Sequence, residues 1–240
     1  MSKSAIVFVL FIAVPVQALK LPGNLQPHEM ETVTRVLGFG SSMRMASKPE
    51  PLGGWQGFEL SVVSGIIPLA DLKAVGTGVS EDQYSSTALV LGKGLFQDVD
   101  TFFQVTPFAP DFGYSGFGAQ VRWSLSRPEN KPFSTALVFS GSVGSFASLF
   151  SSVVTGVDFV AGFYAEDISL FLGVGQGRAI GTFTGGTGGL IAGGASSAEV
   201  DVREAHTLLG VEVSLGDGFV AVQADRFSQI AFSAKAGIRF

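Results

Sequence analysis

The sequence predicts an all-β fold: a closed antiparallel up-and-down transmembrane β-barrel of about ten strands, with eight to twelve compatible, preceded by a short N-terminal helical arm. Three observations predict it. From residue 54 onward, apolar residues recur at every second position. Charged residues make up only 15% of the chain while hydrophobic ones reach 46%, against about 25% charged in ordinary soluble domains. The connections between the alternating segments run long, short, long, short, as the hairpins of a membrane barrel do.

The length, 240 residues, fits one large all-β domain or two small ones. With no Cys there is no disulfide framework, no thiolate chemistry, and no Cys to carry an acyl anchor. Lys3 precedes an apolar run, Ala5 to Val14, followed by Val16-Gln17-Ala18 with short residues at the −3 and −1 positions of a cleavage site. This is the pattern of a secretory signal peptide. The run is about half the roughly 20 residues that a membrane helix needs. The chain therefore divides into a signal peptide (1–18), an N-terminal periplasmic arm or plug (19–53) and a barrel (54–240). Losing Lys3 changes the net charge from −5 to −6, which gives no electrostatic case for nucleic acid.

Residues 19–53 are punctuated by Pro22, Pro27, Pro49 and Pro51. Pro27 to Leu37 reads as a short helix, with Pro in its first turn, acids early and Gly38 as its stop. Met30, Val33 and Leu37 would share one face. Either the segment packs on a barrel rim or it plugs the lumen.

Ten period-two segments follow. Phe58, Leu60 and Val62 open the series, then Leu89 and Leu91, then Val99 to Val105. Phe117, Ala119, Val121, Trp123 and Leu125 alternate with Gly118, Gln120, Arg122 and Ser124. Thr135, Leu137 and Phe139 make the fifth, Thr155 to Phe163 the sixth and Ile168 to Val174 the seventh. Leu209 to Leu215, Val220 to Ala224 and Ile230 to Phe240 complete the set. In a soluble sandwich this Leu/Val/Phe face would be the core, and the other face would carry many more Lys and Glu. An 11-residue strand is roughly 36 Å long and projects to about 28 Å at a 40° tilt, which suits a membrane.

Short connections are expected at Gly94–Gln97, Arg127–Pro132, Ala165–Asp167 and Gly216–Gly218, and longer ones at 68–83, 107–115, 144–151 and 179–205. The last, Arg226–Gln229, is short. Trp55, Trp123, Phe133, Phe163, Tyr164, Phe219 and Phe240 all fall at the short-turn rim, and are expected to form an aromatic girdle at headgroup level. By parity, Glu59, Asp100, Arg122, Asp158, Glu212, Asp225, Lys235 and Arg239 point inward, since a basic residue facing lipid at mid-depth costs about 2–4 kcal/mol.

The tail Ile230-Ala231-Phe232-Ser233-Ala234-Lys235-Ala236-Gly237-Ile238-Arg239-Phe240 alternates to its last residue. Here the chain resembles the Gram-negative outer-membrane β-barrel proteins, whose final strand ends in Phe. The resemblance spans residues 54–240 and picks out no subfamily. It implies an outer-membrane location, a final strand that pairs with the first and is read by the barrel-assembly machinery, contact with outer-membrane lipid, and a monomer.

No motif for chemistry emerges. His28 and His206 are the only histidines and neither has a partner at metal-ligand spacing, so no metal or cofactor is expected. His28-Glu29 lacks the second His of a zinc-protease helix. The glycine clusters 173–177 and 185–189 lack the Lys-Ser/Thr of a phosphate loop. The segment 182–198 reads as an external loop, which Leu190 and Ile191 would fold inward. An enzyme of the lipid-modifying kind would need His206 as base, placed at the outer end of strand eight, with Ser233 or Ser214 nearby. The reading is therefore a non-enzymatic barrel with a structural or narrow-channel role. The alternatives are a porin or hydrophobic-solute transporter with an N-terminal plug, and a lipid-modifying enzyme.

Overall fold

The computed structural model describes residues 19–106, 113–126, 132–193 and 195–240; the predicted signal peptide lies outside them, as do most residues of the expected connections at 107–115 and 127–132. Ten strands form one closed antiparallel barrel: β1 (Phe58–Pro68), β2 (Gln83–Gly94), β3 (Val99–Thr106), β4 (Tyr114–Ser126), β5 (Phe133–Phe146), β6 (Phe150–Ala165), β7 (Ile168–Thr184), β8 (Ser197–Leu215), β9 (Gly218–Arg226) and β10 (Ile230–Arg239). Each strand pairs with its sequence neighbours, and β1 pairs with β10 from Glu59↔Arg239 to Ile66↔Phe232. Phe58 and Phe240 exchange both backbone hydrogen bonds (2.7 and 3.0 Å) and stack their rings. Closure leaves no bare sheet edge, which a strand facing lipid could not tolerate.

The alternation sorts the two faces. Leu60, Leu91, Phe103, Phe117, Val157, Leu172, Leu209 and Val222 are exposed on the outside. Glu59, Asp100, Arg122, Glu212 and Lys235 are each at most 2% exposed on the inside. A soluble barrel has the reverse polarity, so the outer face is the one that meets lipid. Among the described residues no helix is long and apolar enough to cross a membrane.

The strands are longer than the apolar pattern indicates on one side. β6, β7 and β8 have 16, 17 and 19 residues. The last exposed large apolar residues are Val174 on β7 and Leu209 on β8; beyond them the exposed positions include Gln176, Arg178, Asp201 and Arg203, with Ile180 half-buried between them. These strands thus project past the lipid. The expected long connection at 144–151 is in fact the three residues between β5 and β6, with Ala147 and Ser148 at positive φ, and the one at 179–205 shrinks to 185–196. Ser, Thr and Gly continue the strands there, and they carry no apolar signal to read.

Ahead of the barrel, α1 (Pro27–Val33) runs into a wider π-helical turn, Thr34–Phe39. Gly38 does not stop the helix. It lies in that wider turn, against the wall: a Cβ there would sit 3.4 Å from Ala179 Cβ and 3.7 Å from Ser152 Cβ. Met30, Val33 and Leu37 share the buried face as predicted. They join Leu25, Tyr84, Tyr114, Phe146, Phe150 and Phe183 in the largest apolar cluster. Those aromatic residues point inward from β2, β4, β5, β6 and β7.

Candidate functional site: an ionic lumen threaded by the N-terminal segment

Residues 19–53 pass through the barrel from one rim to the other. At the long-connection rim, Gly23 and Thr77 exchange backbone hydrogen bonds of 2.9 Å, and Leu25 N–H donates to the Leu190 carbonyl (2.8 Å). Leu190 and Ile191 do fold inward, and Leu190 is buried. The helix then packs on β6–β8. Below it, Met43 meets Val63, Ala88, Val90 and Phe102, while Met45 meets Val138, Val160, Phe171 and Leu208. At the short-turn rim the chain turns at Gly53 and Gly54, both at positive φ, and enters β1.

The extended part, 44–53, has no strand partner, so wall side chains satisfy its backbone. Ala46 N–H donates to Gln223 (2.7 Å), Lys48 N–H to Glu212 (3.2 Å) and Leu52 N–H to Asp100 (3.1 Å). The Lys48 carbonyl accepts from Arg122 (2.7 Å) and the Pro49 carbonyl from Ser134 (3.4 Å). Buried backbone groups need such partners.

The inward charges form two clusters. Near the short turns, Glu59 accepts from Lys235 (2.7 Å) and Arg239 (3.0 Å), and Arg239 also forks onto Glu212 (2.8 Å). Arg122 pairs with Asp100 at 2.8 Å. Aromatic rings alternate with these cations: Phe102 lies beneath Arg122 (4.7 Å) and Lys235 (5.5 Å), Phe219 beneath Lys235 (5.8 Å) and Arg239 (3.8 Å). Cation–π attraction strengthens when both partners are desolvated. Further up, His206 Nδ1 meets Asp158 (2.6 Å) and Nε2 meets Asp225 (3.2 Å). The His206 ring stacks on Phe227 (4.1 Å), which stacks in turn on Phe39 of the threaded segment (4.4 Å).

All eight charges predicted to face inward are turned to the lumen, seven of them buried and Arg239 partly so. Five are carboxylates and three are bases. The threaded segment adds Arg44, 3.7 Å from Asp225, and Lys48, which lies 4.0 Å from Glu212 and 2.7 Å from its own Glu50.

The girdle is corrected at two positions. Trp55, Trp123, Phe163 and Phe240 are exposed, and Phe133 is half-buried on the outward parity. Phe219 is 3% exposed and lies inside under Lys235 and Arg239. Tyr164 also turns inward, its hydroxyl bonded to Ser134 and its ring 5.7 Å from the Lys48 ammonium. Each neighbours an outward residue, Val220 or Phe163, so period two already assigns it to the other face.

His206 is likewise not at the rim. It is buried in mid-strand, opposite Gly175. Both ring nitrogens face carboxylates, so neither is left to activate a serine. Ser214 lies opposite Phe219 near the short turns. Among the described residues no group of three or more His, Asp or Glu is placed to hold a metal ion.

Between the segment and strands β4–β10 lies a narrow cleft lined by Phe39, Arg44, Gln120, Asp158, His206 and Phe227 among others.

No protein-family model and no curated protein sequence matches the chain. Among solved structures it is similar to Ail, the attachment invasion locus protein of Yersinia pestis (13% identity, TM-score 0.33, 77% of this chain and 98% of that one). It is also similar to the N-terminal β-barrel domain of Pseudomonas aeruginosa OprF (12%, TM-score 0.34, 78% and 99%) and to Neisserial surface protein A (8%, TM-score 0.29, 76% and 94%). By its own geometry, the chain is a ten-stranded antiparallel barrel with an apolar exterior, an ionic lumen and its own N-terminal segment through the middle.

Proposed function

We propose that the protein is an exported, monomeric, non-enzymatic outer-membrane barrel whose lumen is sealed by residues 19–53, with a structural role rather than steady solute conduction. The observation that supports this best is the seating of residues 44–53, whose backbone is held by Gln223, Glu212, Asp100, Arg122 and Ser134 from five different strands. A loosely parked arm would leave its own buried backbone groups at Ala46, Lys48, Pro49 and Leu52 without these partners. The outward apolar face meets outer-membrane lipid, and the C-terminal strand is the one offered to the barrel-assembly machinery. The enclosure of His206 between two aspartates weighs against the lipid-modifying enzyme.

A second reading, passage of a hydrophobic solute on displacement of the plug, is favoured by one feature. The lumen half nearest the long connections is lined by Tyr84, Tyr114, Phe146, Phe150 and Phe183 rather than by charges.

Planar-bilayer recording tests the first reading. The full chain is expected to be silent, and the chain lacking residues 19–53, checked for its heat-induced gel shift, to give steady ion steps. Steady steps from the full chain would overturn it.

A further inference from the structure

The threading has a direction, and that direction has a consequence for the cell surface. The segment enters the lumen at the rim carrying the connections 69–82 and 185–196, and leaves at the rim carrying 95–98, 166–167 and 216–217. In membrane barrels the short turns face the periplasm and the longer loops the exterior. We propose that residues 19–25 are displayed on the outer surface of the cell, as part of a cap made with the connections 69–82 and 185–196. This rests on the outer-membrane reading above.

Four observations carry it. The two ends are fixed by separate backbone hydrogen bonds: Gly23 and Thr77 exchange a pair at one rim, and at the other, just past the segment, Gly94 N–H donates to the Gly57 carbonyl (3.0 Å). The cap is a built structure: Leu21 and Leu25 are buried with Leu69, Leu72 and Leu190 in one cluster. Pro22 and Leu25 also pack against Gly76, where a Cβ would meet the Gly23 carbonyl at 2.5 Å and Leu25 at 3.0 Å. Lastly, the charges along the path match the segment to this polarity. Arg35 pairs with Glu204 (2.8 Å), Arg44 lies by Asp225, and Lys48 by Glu212. A reversed segment would exchange these partners and place the apolar face of α1 against the ionic end.

The consequence concerns assembly. A signal peptide ending at Ala18 is removed on the periplasmic side, yet Leu19 lies next to the cap at the far rim. The segment must therefore cross the lumen, and the simplest order is that β1 and β10 close around a segment already laid along the wall. The surface it creates is composite, so a partner at the cell exterior would meet the segment and the two loops together.

The absence of Cys from the chain makes the test clean. Three single-cysteine variants are made at exposed positions: Lys20→Cys in the segment, Ser80→Cys in the β1–β2 connection, and Asp167→Cys in the short β6–β7 turn. Each is expressed in a Gram-negative host, checked for the heat-induced gel shift, and treated on intact cells with a membrane-impermeant maleimide. Lys20→Cys and Ser80→Cys are expected to label equally, and Asp167→Cys only after the outer membrane is permeabilised. If Lys20→Cys is protected as Asp167→Cys is, while Ser80→Cys labels, the display proposal is overturned and the barrel reading stands. If Ser80→Cys and Asp167→Cys label alike, the outer-membrane reading fails, and display fails with it.

Discussion

Towards the short turns the lumen is filled by ion pairs alternating with aromatic rings; towards the long connections it is filled by Leu, Val, Tyr and Phe around a helix. One chain segment runs through both halves and is held differently in each. In the ionic half its backbone is hydrogen-bonded by wall side chains. In the apolar half its side chains are simply kept from water. Paired charges fix position and register, but removing one partner strands the other. Apolar contacts are more forgiving of small shifts. The segment is thus pinned at one end and cushioned at the other.

The largest expected effect breaks the pinned end. Arg122 is 1% exposed and bridges Asp100, the Lys48 carbonyl and the Phe102 ring. Arg122→Ala leaves Asp100 buried with only the Leu52 N–H, and is expected to cost about 3–5 kcal/mol. Urea titration followed by the heat-induced gel shift measures it. Adding Asp100→Leu should recover part of the loss, because a buried pair replaced by apolar groups is often neutral. A double variant no better than the single would mean that the pair is not what holds this end.

In the cushioned half, Leu37 is fully buried against the aromatic lining. Leu37→Ala should cost about 2–5 kcal/mol, but from the seating of the helix rather than from strand pairing. The comparison predicts two separate transitions. Residues 19–41 should become protease-sensitive at lower urea than the barrel loses its gel shift, and the gap should widen in this variant. A single joint transition would erase the distinction between the halves.

Much of this was legible in the residues, and for a physical reason. A barrel wall in lipid enforces period two on every strand, so the ten strands, the closure at Phe240 and the eight inward charges all follow from parity. Tyr164 and Phe219 were legible too, since each sits next to an outward residue; proximity to the rim had outweighed parity. The ends of β7 and β8 were not legible. Past Val174 and Leu209 the exposed positions turn mostly polar, and Gln176, Arg178 and Asp201 look like loop. The threading of residues 44–53 was least legible of all. It is fixed by backbone groups of one segment and side chains of five distant strands, and backbone donors leave no mark on a sequence. One trace exists: the inward charges are five carboxylates against three bases, and Arg44 and Lys48 of the arm lie among those carboxylates.

A smaller effect tests the joint between the halves. Phe227, in the β9–β10 connection, is sandwiched between Phe39 of the segment and His206 of the wall. Each stacked pair contributes about 0.5–1.5 kcal/mol beyond its buried area. Phe227→Ala should therefore bring the release of residues 19–41 to lower urea and leave barrel unfolding nearly unchanged. Phe227→Leu, which keeps bulk without the ring, should restore only part of the difference.

The smallest effect lies at the segment's outermost tie. Glu29 accepts hydrogen bonds from the Gln26 N–H (2.7 Å) and the Gly76 N–H (3.0 Å), joining the start of α1 to the β1–β2 connection. Those backbone bonds, the Gln26 one first, hold its carboxyl below the usual carboxylate range. A folded-state pKa that is depressed favours the ordered cap above the unfolded value of about 4.3. The contribution is lost as pH falls through the lower folded value. Glu29→Gln should make residues 19–26 more protease-sensitive than the parent chain at pH 6, and the two should converge as pH is lowered past 4. If the two proteins differ equally at every pH, the carboxylate charge is not what ties the helix start to the loop. The cap would then rest on Leu21, Leu25 and Leu190, as the rest of the cushioned half does.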